Sequence, residues 1–156
     1  MQLHEQNLQV VTWHTNAQAI IQQDCILCVK DADERINLMT LSWKTIGLFW
    51  GEPCVMISLA EIRYTNELLQ NNAEDFSLSF SNRWQKALEF LGSHSGRHGD
   101  KVEGSGLSLG QPIGIKSPNI QGAEHVYECR LLDSAKTNFA CPAELYIGKI
   151  VNALAI

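Results

Sequence analysis

Cys25-Ile-Leu-Cys-Val-Lys30, Asp31-Ala-Asp-Glu-Arg35 and Ile36-Asn-Leu-Met-Thr-Leu-Ser-Trp43 follow one another directly in the chain. The first run is apolar and suits a strand, the second is short and charged and suits a turn, and the third alternates in the manner of a second strand. A β-hairpin over residues 25–43 is therefore expected. Toward the C-terminus, Pro53-Cys-Val-Met-Ile-Ser-Leu59 reads as another apolar strand, and Arg63-Tyr-Thr-Asn-Glu-Leu-Leu-Gln-Asn71 as a helix ending in two asparagines. Asp75-Phe-Ser-Leu-Ser-Phe-Ser81 alternates with period two, and Trp84, Ala87, Leu88 and Leu91 recur at helical spacing. The Gly- and Ser-rich stretch 92–118 reads as irregular, whereas Glu124–Leu132 and Glu144–Leu154 read as long strands that pair. Toward the N-terminus, residues 13–23 suit a short helix capped by Asn16 or Thr15. Six or seven strands with a few short helices, without repeat or linker, make the chain mainly β with short helices, in one barrel.

The bulk numbers set limits on function. At 156 residues, 45% hydrophobic and 19% charged, the chain suits a single domain over 1–156 with a real core. A net charge of -5 disfavours a broad nucleic-acid or anionic-membrane surface, which needs clustered Lys and Arg. The longest apolar stretches, such as Ile46-Gly-Leu-Phe-Trp50, are far shorter than a bilayer span of about 20 residues, so no membrane span is expected. The five cysteines, Cys25, Cys28, Cys54, Cys129 and Cys141, are odd in number and scattered, and no basic segment with an apolar core opens the chain. A reduced, cytoplasmic setting is the expectation.

Several short matches have ordinary explanations. Cys25-x-x-Cys28 has redox spacing, but within a strand residues three apart point to opposite faces, which makes them buried structural thiols. No second cysteine or histidine pair completes a zinc site. His94 and His98 are spaced like helical metal ligands, yet Ser95-Gly96 between them opposes a helix. Gly106-Leu-Ser-Leu-Gly110 imitates a nucleophile elbow, but Gln111-Pro112 prevents the helix that must follow, and no βαβ unit supports a dinucleotide fingerprint there. Of the four tryptophans, only Trp43 lies near a candidate site.

Three segments stand out, each beside the end of an expected strand or helix. Asn37, Met39, Thr40, Leu41, Ser42 and Trp43 supply amides and a hydroxyl beside apolar and aromatic surface. Ser58, Leu59, Ala60, Arg63 and Thr65 span a strand end and a helix start, where free N–H groups favour a phosphate and Arg63 adds charge. Ser95, Gly96, Arg97, Asp100 and Lys101 place cations and hydroxyls on a glycine-flexible loop.

Taken together, Asn-x-Met-Thr-x-x-Trp at 37–43, Arg-Tyr-Thr at 63–65 and Ser-Gly-Arg-x-x-Asp-Lys at 95–101 resemble the flavin-reductase-like family, flavoredoxins included. The resemblance runs from about Cys25 to Ala155. It takes in Pro53, Gly106-Leu107, Glu128-Cys129-Arg130 and Ile147-Gly148-Lys149-Ile150. It implies an FMN-binding split β-barrel with the cofactor at a homodimer interface. Asn37, Met39, Thr40 and Trp43 would lie along the flavin, Ser58, Leu59, Arg63 and Thr65 near its ribityl-phosphate, and Ser95, Gly96, Arg97, Asp100 and Lys101 on the remaining wall. The implied activity is that of an NAD(P)H-dependent flavin reductase or flavoredoxin-type oxidoreductase. Alternatives are an FMN electron carrier served by another redox partner, and a split-barrel protein that binds a different ligand without catalysis. No protein nucleophile is required, since the flavin carries the redox chemistry.

Two departures from the family pattern set further expectations. Val102 replaces the usual Phe after Asp-Lys and could widen the pocket. Ala140-Cys-Pro-Ala-Glu144 replaces a Gly-Asp-His-like turn, so Glu144 either faces the flavin, slowing reduction by a nicotinamide, or begins a strand with its side chain in solvent. The apolar run Ile150–Ile156 is expected to need cover from a second subunit.

Overall fold

The computed structural model describes residues 8–156. Ten strands and four short helices follow in the order β1 (Gln9–Val11), α1 (Ala17–Ile21), β2 (Cys25–Lys30), β3 (Ile36–Leu41), β4 (Lys44–Phe49), β5 (Glu52–Ala60), α2 (Tyr64–Gln70), β6 (Asp75–Phe80), α3 (Gln85–Ser93), α4 (Lys101–Ser105), β7 (Leu109–Gly110), β8 (Asn119–Ile120), β9 (His125–Asn138) and β10 (Pro142–Ala155). A 3-10 turn, Gly96–His98, lies between α3 and α4. The main sheet runs β3-β2-β6-β9-β10-β5-β4 and is antiparallel throughout, with β1 added to the end of β10. Its two outer strands, β3 and β4, are consecutive in the chain but do not pair with each other. The curled sheet is therefore split along one seam, at Ser42-Trp43.

The interior is filled from β2, β3, β5, β6, β9 and β10 by Leu27, Met39, Ile57, Phe76, Tyr127 and Tyr146 among others. A second apolar layer lies between the sheet and the helices, with Ile26, Cys28, Leu38 and Leu91 buried in it and Leu88 packed against it. Strand β2 is thus buried on both faces: Cys25 faces the interior and Cys28 the helical layer. Both are free thiols. Burial pushes the Cys25 thiol up to about 12 and raises that of Cys28 further, which makes both poor nucleophiles.

The hairpin of residues 25–43 forms as expected, with β2 and β3 in register from Cys25↔Leu41 to Lys30↔Ile36. Its turn is organised by Asp31, whose carboxylate accepts from the backbone N–H groups of Asp33 (3.0 Å) and Arg35 (2.8 Å), from Arg35 Nε (2.7 Å) and from Asn71 Nδ2 (3.0 Å). Burial alone would raise this carboxyl, but the hydrogen bonds from Asn71 and Arg35 outweigh it and hold the group below its ordinary value. The stabilisation is complete above the unfolded carboxyl value of about 3.9 and disappears as pH falls through the lower folded value. Asp31→Asn is expected to be less stable than the parent at pH 7, with the gap narrowing in acid; urea melts at pH 7 and pH 3 check this.

Elsewhere the pattern underestimated the strands. The edge strand β4 carries Gly47 and has no clean alternation, and the three-residue β1 is held only by β10. Strand β9 continues through the polar run Asp133–Asn138 because β10 pairs with it along nearly its whole length. Within the stretch read as irregular, Asp100 caps α4, its Oδ1 accepting from Val102 N (2.9 Å) and Glu103 N (3.3 Å). The expected N-terminal helix is only α1, and Asn16 precedes it in the left-handed conformation without a side-chain cap bond. Most of the run 150–156 is covered within its own barrel: Ile150, Ala153 and Leu154 are buried and only Ile156 is strongly exposed. That run therefore does not itself require a second subunit.

Candidate functional site

Two adjoining hollows open beside the seam. The smaller, about 300 Å³, lies among Asn37 and Met39 of β3, Arg63, Tyr64 and Thr65 at the start of α2, and the segment from Gly92 to His98, with Lys101 completing it. The larger, about 680 Å³, is walled by the corner 40–45, by Met56, Ser58, Leu59 and Ala60 of β5, and by Phe139, Cys141, Ala143 and Leu145 of the β9–β10 hairpin. Both volumes are in the range of small-molecule sites. Met39 and Arg63 line both hollows, so the two adjoin across that wall.

In the smaller hollow, the side chains of β3 and α2 are tied together by Asn37 Nδ2, which donates to Thr65 Oγ1 at 2.9 Å, both residues being buried. Gly96 lies hard against that bond. A Cβ there would come within 2.3 Å of Asn37 Oδ1 and 2.5 Å of Tyr64 Cδ1, so only glycine allows the 3-10 turn to approach this closely. Arg97 is committed to bracing: its guanidinium bonds the Glu67 carboxylate and the Ile62 carbonyl (3.1 Å), and stands 5.3 Å over the Tyr64 ring.

The cations that face the smaller hollow without a carboxylate partner, among the described residues, are Arg63 and Lys101. Arg63 reaches only the Gly92 carbonyl, at 3.5 Å, while Lys101 is buried and donates to the Leu91 carbonyl at 2.8 Å. Burial, reinforced by the nearby Arg63, lowers the Lys101 ammonium to about 8. An anion entering here would meet two positive groups not already neutralised.

The larger hollow has another character. Met39, Leu41, Met56, Leu145, Trp43 and Phe139 make it mainly apolar. Its lysine, Lys44, is spent on the main chain, donating to the carbonyls of Gln23, Leu41 and Ser42.

All the residues expected to hold the flavin line one of these hollows except Asp100, which acts at one remove by capping the helix that holds Lys101. Val102 packs into the helical apolar layer and lines neither hollow, so its smaller size does not widen the site. Glu144 also lies away from it. Ala143 and Leu145 line the larger hollow, and in a strand the residue between them points to the opposite face, where Glu144 acts on Tyr146. Residues not foreseen as part of the site include Thr45, Met56, Phe139 and Leu145. The strand registers β4–β5 and β5–β10, which align Thr45 with Met56 and Leu145 with Ser58, bring several of these elements together.

A split antiparallel barrel with a cationic hollow beside an apolar one suits a molecule that is anionic at one end and apolar at the other. Residues 18–155 match the flavin reductase like domain, and the chain belongs to that family of flavoproteins. In fold it is similar to the flavoredoxin of Desulfovibrio vulgaris (Miyazaki F), with a TM-score of 0.74 at 20% identity over 100% of this chain and 76% of the other. It is also similar to an FMN-binding domain of a flavin reductases-like enzyme from Shewanella baltica OS155, with a TM-score of 0.76 at 18% identity, covering 96% and 77%. A third similar structure is an FMN-binding protein from Thermus thermophilus with bound 1-cyclohex-2-enone, at 27% identity and a TM-score of 0.69, covering 98% and 73%. The chain has no match among curated protein sequences.

Proposed function

We propose that the protein is an FMN-dependent oxidoreductase, reduced by NAD(P)H in the manner of a flavin reductase or flavoredoxin and working as a cytoplasmic, single-domain homodimer. The observation that carries the cofactor assignment is the division of the site: two cations without carboxylate partners in the smaller hollow, and an apolar wall in the larger one. The residues fit FMN. Arg63 and Lys101 offer charge to a phosphate, the first backbone N–H groups of α2 have no partner within the helix, and Ser95 and Thr65 line the same space. Met39, Leu41, Met56 and Leu145 suit the body of an isoalloxazine.

When bound, FMN supplies the hydride and electron chemistry. The chain binds and orients it. Asn37, held by Thr65, fixes β3 against α2, and Asp100 keeps Lys101 turned inward through the cap of α4. The exposed aromatic side chains Trp43 and Phe139 at the mouth give a homodimer apolar surface to cover, a role the C-terminal run does not fill. A carrier role, with electrons from another redox partner, is favoured by one observation: Lys44, the cation at the larger hollow besides the shared Arg63, is occupied by carbonyls and unavailable to a dinucleotide pyrophosphate.

The protein is expected to bind FMN stoichiometrically and more tightly than riboflavin, which lacks the phosphate; fluorescence titration of both flavins measures the difference, and equal affinities would refute the phosphate assignment. Anaerobic reduction of the bound FMN by NADH, NADPH or dithionite then separates the reductase from the carrier. Reduction by dithionite alone supports the carrier.

A further inference from the structure

We infer that Asn66 and Tyr146 are positioning residues for the anion end of the site: together they fix the turn 60–63 that sets Arg63 between the two hollows, and so govern the preference for a phosphorylated flavin. The inference rests on the FMN reading above and deepens it. Tyr146 stands on β10 in the barrel interior and Asn66 in the first turn of α2, and both are buried. The Tyr146 hydroxyl donates to Asn66 Oδ1 at 2.7 Å and accepts from Gln70 Nε2 at 2.9 Å. Asn66 Nδ2 in turn donates to the Ala60 carbonyl at 2.7 Å. That carbonyl also accepts from the backbone N–H of Arg63 at 3.0 Å, which closes the turn 60–63. The Arg63 carbonyl accepts from the backbone N–H of Asn66, also at 3.0 Å.

This chain of bonds ends at the site although neither Asn66 nor Tyr146 lines it: Ala60 and Arg63 line the larger hollow, and Arg63 the smaller one as well. A phenol buried in an apolar interior needs a partner for its hydroxyl, and Asn66 Oδ1 supplies one. The amide nitrogen left over is spent on the backbone of the turn rather than on another side chain. Burial pushes the Tyr146 phenol up to about 12, so the hydroxyl keeps its proton, and the direction of its bond, at ordinary pH. Asn66 thus grips the turn at both ends, Ala60 through its side chain and Arg63 through its backbone. The Glu61 N–H adds a bond of 3.0 Å to the Pro142 carbonyl, so the turn is anchored on β10 twice, once directly and once through Tyr146. Loss of the second anchor lets the base of Arg63 move, and a displacement of about 1 Å is enough to forfeit much of a directional charged hydrogen bond.

The test compares FMN with riboflavin in fluorescence titrations of the full chain, since a residue that only supports the fold weakens both alike. Asn66→Ala is expected to weaken FMN binding about three- to tenfold and to leave riboflavin binding within about twofold. Tyr146→Phe removes one oxygen and leaves the ring packed; it is expected to weaken FMN binding about two- to fivefold, and it carries the test if Asn66→Ala is too unstable to titrate. In the Arg63→Ala background neither change should reduce FMN affinity further, because both act through the guanidinium. Leu69→Ala, which truncates a buried apolar side chain of the same helix outside the chain of bonds, is expected to lower stability without altering the ratio of the two affinities. Equal weakening of FMN and riboflavin, a full additional loss in the double variant, or a ratio that Leu69→Ala shifts as far would overturn the inference. Equal affinities for the two flavins in the parent would overturn the phosphate assignment together with this inference. A parent that prefers FMN, with variants at 66 and 146 that prefer it by the same factor, overturns this inference alone.

Discussion

Arg63→Ala is expected to weaken FMN binding by roughly ten- to a hundredfold while leaving riboflavin affinity almost unchanged. A hydrogen bond to a charged group is worth about 1.5–3 kcal/mol, and each 1.4 kcal/mol is about tenfold in affinity. Arg63 can contribute at this scale because no carboxylate among the described residues neutralises it and its one hydrogen bond, to Gly92, is long. Arg63→Lys is expected to recover only part of the loss, since an ammonium lacks the planar fork that grips two phosphate oxygens. In the alanine variant, Lys101 becomes the principal cation. In the parent protein its ammonium, held down to about 8 by burial and by Arg63, loses its charge as pH rises through that value, so FMN affinity there should fall between pH 7 and pH 9. Removing Arg63 also removes its repulsion, which moves the decline to higher pH. Flavin fluorescence titrations across that range measure both effects, and a pH-independent affinity would show that Lys101 does not sense the phosphate.

Phe76→Ala is expected to cost about 3–5 kcal/mol of stability, a large share of the roughly 5–15 kcal/mol that a domain possesses. The ring is completely buried in the barrel interior. It extends from β6 across β9 to the backbone of β10: a Cβ on Gly148 would come within 2.5 Å of Phe76 Cζ and 3.0 Å of Cys129 Cβ. Gly148→Ala alone is therefore an overpacking change costing about 1–3 kcal/mol. The two effects should not add. In the Phe76→Ala background the space beside position 148 is vacant, so Gly148→Ala should cost much less there, and the double-mutant cycle in denaturant measures the coupling directly. Additive costs would show that the ring does not rest on the strand.

This contact also shows what the sequence could convey. Gly148 stands out within Ile147-Gly148-Lys149-Ile150 as a landmark of the family resemblance, but its cause is a phenylalanine more than seventy positions earlier, which no local pattern exposes. The hairpin 25–43 was legible because burial of one or both faces and the Asp31 turn are recorded in neighbouring residues. The cationic hollow was legible for a similar reason, since Arg63, Gly96 and Lys101 lie in short segments of distinctive composition. Phe139 and Leu145 were not, because they reach the site only through the pairing of β10 with β5 and β9. Glu144 is the reverse case: its charge drew notice and left two placements open, and strand alternation in β10 decides between them.

The open seam between β3 and β4 has a consequence of its own. Each of these strands pairs on one side only, so their outward N–H and C=O groups lack the ladder that protects the rest of the sheet. Residues 39–45 of that seam also line the larger hollow. A flavin whose ring edge bonds to those groups would close the barrel in place of a strand partner. Amide hydrogen exchange should therefore be fast along 40–45 in the apoprotein and slow by the largest factor there once FMN is bound, with β9, already paired on both sides, almost unaffected. The cofactor would then be a structural member of the sheet, and its loss would loosen the fold first along the line where the redox chemistry takes place.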